Sequence, residues 1–126
     1  MEVEIWFDVV CKTESRYEIM FTLFADHEMS IRPNINETLN FHQIKGSSFE
    51  FKQSSPIGPA RQSIVSVTVE EVSHYLINEE GNIRYKTAIR CSEFPVISED
   101  DAQIVCNIMT TQCGFEVDPY GINKLK

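Results

Sequence analysis

Residues 63–91 hold two alternating runs, SIVSVTVEEVSHYLI and IRYKTAIRC, joined by NEEGN. Successive side chains of a strand point to opposite faces, so runs of this kind commit the chain to an antiparallel hairpin. Gly81 supplies the positive φ that a tight connection needs. Taken as a five-residue loop, NEEGN sets Ile77 opposite Ile83, Tyr75 opposite Tyr85 and Val69 opposite Cys91 on an apolar face. The other face then pairs Leu76 with Arg84, His74 with Lys86, Val72 with Ala88 and Glu70 with Arg90.

One position resists this pattern. Val65, Val67 and Val69 share a core face, and strict alternation adds Glu71 to it. A carboxylate buried without a partner is costly. Three resolutions are open: a β-bulge that turns Glu70 and Glu71 both to water, a pocket or cation that receives Glu71, or exposure at a sheet edge.

Elsewhere the signals are shorter. Residues 2–11 alternate, with Val3, Ile5, Phe7, Val9 and Cys11 on one side and Glu2, Glu4, Trp6 and Asp8 on the other. Residues 16–25 fit strand and helix periods alike, and their aromatic and β-branched content favours a strand. Short strands are expected at 38–43 and 48–53, and SSPIGPARQ at 54–62 reads as the longest structureless loop. A helix is expected from residue 99 to about 113. Ser98 is its N-cap, Glu99, Asp100 and Asp101 complement the dipole, and Gly114 is its C′ stop. Residues 115–117 can add an edge strand before Pro119. The expectation is one α+β domain over residues 1–126, a mainly antiparallel sheet of five or six strands with one C-terminal helix packed on a face.

A chain of 126 residues, 42% apolar, can bury one core without staples. The opening MEVEIWFDVV carries acids where a signal peptide carries cations, and no apolar run is long enough for a membrane span, so the expected location is cytoplasmic. Cys11, Cys91, Cys106 and Cys113 are scattered and have no zinc-like spacing to His27, His42 or His74, so they read as small buried thiols, with no metal. No phosphate loop, nucleophile elbow or metalloprotease pair is present, and no cofactor is implied. Whether the chain is an enzyme stays open, and no catalytic residue can be nominated.

The net charge of −8 disfavours direct nucleic-acid binding and favours a basic protein partner. The leading expectation is a non-enzymatic binding protein, an acidic inhibitor or neutralising antidote of the toxin-immunity or phage counter-defence type. Its candidate contact residues are Trp6, Ile104 and Ile108. Trp6, the only tryptophan, falls among acids, either as an anchor for a partner or covered by another segment. Ile104 and Ile108 lie one turn apart, off the apolar stripe of Ala102, Val105, Cys106, Met109 and Cys113. Either the helix is covered on two sides or these isoleucines form a partner or homo-oligomer contact. The alternative is a small anionic ligand or nucleotide, held by Arg61 of the 54–62 loop with Arg84, Lys86 and Arg90, and with His74 and Glu71 nearby.

Overall fold

The computed structural model describes residues 1–119. At its centre is β1 (Glu2–Lys12), in which Val3, Ile5, Phe7, Val9 and Cys11 are all fully buried. β2 (Tyr17–Glu28) returns antiparallel along one edge, and the register shifts between Val9 and Val10 because Met20 is an extra residue on the β2 side. β3 (Thr38–Phe41), β4 (Phe51–Gln53) and β5 (Ala60–Gln62) are short. β6 (Val65–Glu79) and β7 (Asn82–Cys91) form the long hairpin, and β8 (Phe94–Val96) follows after two residues. Then come α1 (Glu99–Gln112) and β9 (Glu116–Val117), which pairs with β2.

The second edge of β1 is shared between two strands. β7 runs parallel to its residues 3–6 and β8 parallel to its residues 9–11. β4 adds to β8, β5 adds to β4, and β3 covers the first part of β6. The chain therefore does not form an antiparallel sheet of five or six strands; the sheet has nine strands and is mixed. Two strands lay hidden in breaker-rich sequence. β8 is centred on Pro95, which gives no N–H to a ladder, and β5 lies within the expected 54–62 loop. The parallel pairing follows from a crossing through residues 29–64. That crossing carries short strands in place of a helix, so no βαβ pattern marks it.

The helix starts and stops where its caps dictate. The Ser98 side chain accepts from Asp101 N at 3.1 Å. Asp101 does not reach back as a capping-box acid does: its carboxylate takes the Ser98 hydroxyl at 2.6 Å and Lys52 N at 2.9 Å, tying the helix to β4. Gly114, at φ +74°, turns the chain so that Phe115 N reaches Met109 O at 3.1 Å. Phe115 then drops edge-on against Phe7 and Phe41. α1 packs on β1, β2, β4, β8 and β9. Its second flank is covered as well: Ile108 is 2% exposed and Ile104 is half-buried against the core.

The hairpin resolves the conflict at Glu71 with a bulge. Val69 pairs with Cys91, but the next pair is Glu71 with Arg90, so Glu70 is supernumerary and both glutamates are exposed. The extra residue is matched at the far end. Glu79 pairs with Asn82, leaving a two-residue turn in which Glu80 (φ +50°) and Gly81 (φ +86°) both adopt positive φ, as a type I′ turn requires. Beyond the bulge every pair therefore differs from the five-residue-loop register. Leu76 meets Tyr85, His74 meets Thr87 and Asn78 meets Ile83 on the core-side face; Tyr75 meets Lys86 and Ile77 meets Arg84 on the other. Because β1 begins pairing with β7 only at Thr87, the tip extends past the end of the central strand.

Candidate functional site: the projecting hairpin

The outer face of the hairpin, opposite the helix, gathers the cations that the sequence singled out, and with them their partners. Lys86 Nζ lies 2.9 Å from both Glu4 and Asp26 and 3.6 Å from Glu2. Arg84 lies 3.7 Å from Glu2 and 3.4 Å from Glu79, and Arg90 is 2.6 Å from Asp8. Three of the acids stand on β1 and one on β2, so pairing within the hairpin alone could not show them. The Lys86 side chain is only 12% exposed. Its ammonium is held above the ordinary lysine range, chiefly by the hydrogen bond to Glu4; burial opposes this and Asp26 adds to it.

Trp6 belongs to this face. It is half-buried, stacked on Phe24 with centroids 4.7 Å apart, and donates its indole N–H to Glu4. Beside it is a hollow of about 340 Å³, floored by Ser73 and Ala88, walled by Trp6 and Tyr75, with Glu71 and Arg90 at its rim. Glu71 thus ends on the outer face.

The core-side face of the hairpin changes character along its length. Val72 and Ile89 still pack on the core. Past them and the buried Thr87 the face is wet. Leu76 is 74% exposed, Ile83 71% and Tyr85 52%, and they adjoin one another across the two strands. His74 stacks on Tyr85 at 5.5 Å and contacts Arg32 at 3.2 Å and Thr87 at 3.3 Å. Leu76, Ile83 and Tyr85 were missed as a surface because the five-residue-loop register sets Leu76 on the opposite face from Ile83 and Tyr85. The available signal was NEEGN itself, whose Glu80 and Gly81 fit a two-residue turn.

The remaining candidates lie apart. Arg61, on β5, is exposed and 3.5 Å from Glu50. An open groove of about 780 Å³ runs near it between Lys12, Ser55, Pro56, Pro59 and Ile97, at the opposite end of β1 from the hairpin tip, and Arg61 does not line it. Ile104 and Ile108 serve the core. The four cysteines are free, and Cys11, Cys91 and Cys106 are buried. Burial pushes the Cys91 thiol up to about 11 and raises Cys106 and Cys113 as well. A maleimide added at pH 8 to the native protein should label Cys113 first and the buried three only on addition of denaturant; peptide mass mapping checks the order.

Among the described residues no group of three or more His, Cys, Asp or Glu side chains is placed to hold a metal, and no helix is long and apolar enough to cross a membrane. Comparison of the chain with protein families, curated proteins and solved structures returned no match.

Proposed function

We propose that the protein works by binding another protein through the projecting hairpin, in the manner of an acidic inhibitor or neutralising antidote, and that its place is the cytoplasm, where its four free thiols stay reduced. The observation that carries this reading is the contiguous exposure of Leu76, Ile83 and Tyr85 on a ribbon that stands clear of the core. Large apolar side chains grouped on one face, on a molecule of net charge −8, favour a partner with an apolar patch and a basic surround. The small-anion reading lacks comparable support. Arg84, Lys86 and Arg90 each face carboxylates of their own chain, and Arg61 lies elsewhere.

The test is retention from a lysate of the source organism at low salt, with Leu76→Asp/Ile83→Asp as the comparison. Both positions are exposed, so the fold should survive, which circular dichroism verifies. The wild type should retain a basic protein and the variant at least about tenfold less, as expected when anchors of an interface are lost. Equal retention by both, or a melting-temperature rise with nucleotides or phosphorylated metabolites in place of any partner, would sink the reading.

A further inference from the structure

The edge of β6 carries more information than its faces. β3 covers residues 65–68, and the 36–37 segment extends that cover to Val69 through Asn36 N to Val69 O (2.8 Å) and Val69 N to Glu37 O (2.9 Å). From Glu71 to the turn, β6 pairs only with β7 among the described residues. Nine residues of strand, about 30 Å of ladder, therefore offer unpaired N–H and C=O groups on one side. Proteins usually blunt such an edge with lysine, proline or an inward-pointing charge. The stretch VSHYLIN at 72–78 has none of these.

The charges at its ends indicate what fits. Glu70 and Glu71 at one end and Glu80 at the other are exposed and form no ion pair among the described residues. A second copy of this chain would bring the same acids and another −8 to the edge. A basic segment is attracted to it. The hollow beside Trp6 adds a side-chain subsite. A long side chain added opposite Ser73 on the outer face reaches it by leaning across the small Ser73 side chain toward Ala88, with Trp6 and Tyr75 as walls and the Glu71 carboxylate at the rim. Arg90, the other charge at the rim, is committed to Asp8.

We infer that residues 71–79 of β6 accept an added strand from a basic partner protein, and that a lysine or arginine of that strand seats its stem in the hollow between Trp6 and Tyr75, with its charge at Glu71. Main-chain pairing supplies affinity in this mode, and alternate side-chain pockets supply selectivity. The inference rests on the protein-binding reading above and names its docking element.

The probe is a capped nine-residue peptide alternating lysine and valine. Two controls accompany it: the same peptide with glutamate for lysine, and a lysine peptide N-methylated at alternate residues. Bound lysine peptide should protect every other amide of residues 71–79 from hydrogen exchange and change the emission of Trp6, the only tryptophan. Glu71→Gln should weaken it about three- to fivefold, the scale of one exposed ion pair. Ser73→Leu, which fills the hollow, should abolish the Trp6 response. The glutamate peptide should not bind, and the N-methylated one should bind at least about tenfold more weakly, because it keeps the charge and loses the ladder. Equal binding of the N-methylated peptide, or no protection of these amides by the lysine peptide, overturns the inference. So does protection without peptide accompanied by a doubled mass, since the edge then belongs to a second copy. A lysate partner that the lysine peptide fails to displace overturns the edge alone and leaves the protein-binding reading standing.

Discussion

Truncating Ile108 to alanine should cost about 2–5 kcal/mol of stability, whereas Ile104→Ala should cost about 1 kcal/mol. The two isoleucines sit one turn apart on α1, yet Ile108 is among the largest fully buried side chains and Ile104 is only half-buried. The cost of a deleted side chain grows with the cavity left behind, and a half-exposed site fills with water instead. For a domain whose total stability is about 5–15 kcal/mol, the first change is a large fraction and the second is not. Urea unfolding followed by circular dichroism measures both. Equal losses would mean that the helix is rotated from the orientation described. Ile108→Asp, the natural choice for disrupting an oligomer contact, should instead prevent folding, because the new carboxylate has no partner inside.

Replacing Lys86 with methionine should cost roughly 2–3 kcal/mol, less than for a fully buried ion pair because the surrounding acids are partly exposed. The methionine keeps the stem but leaves Glu4 and Asp26 facing one another with no cation between them, while Glu2 retains only Arg84 at 3.7 Å. Adding Glu4→Gln to the variant should recover part of the loss, since it removes one of the repelling charges. The pH dependence has a definite sign. The folded-state ammonium titrates above its unfolded value of about 10.4, so its contribution is complete below about pH 10 and fades only as the solution becomes strongly alkaline. The gap between wild type and variant should stay flat from about pH 7 to 9 and close at higher pH. A gap that closed toward pH 7 would show that the cluster does not hold this lysine charged.

How much of this was legible follows from how local each signal is. The alternation of Val3 to Cys11 marked a strand with one buried face, and Ser98 and Gly114 bracketed the helix to within a residue. The clash at Glu70 and Glu71 announced that something irregular had to happen there, and a bulge was among the answers. What the alternation could not carry was pairing at a distance. Nothing in FPV says that it lies parallel to residues 9–11 of β1, and nothing in IRYKTAIR says that its cations meet Glu2, Glu4, Asp8 and Asp26. The site was blurred for the same reason. One extra residue, absorbed at Glu70 instead of in the turn, changed every pair beyond it. Leu76 thereby came to the same side as Ile83 and Tyr85.

That single residue has a geometric consequence. A two-residue turn joins equal arms only when an even number of residues separates the paired ends. Twenty-one residues, an odd number, lie between Val69 and Cys91, so one residue must stand outside the ladder. Deleting Glu70 would leave Val69 against Cys91, Glu71 against Arg90 and the Glu80-Gly81 turn all in place, with the same side chains on each face. It would remove the local bend and added twist that a bulge gives its strand. Glu70 therefore governs where the ribbon is aimed relative to the body, while the alternation beyond it governs what the ribbon displays. Direction and content are encoded separately along one strand, and a one-residue change in length could redirect the hairpin without altering its surface.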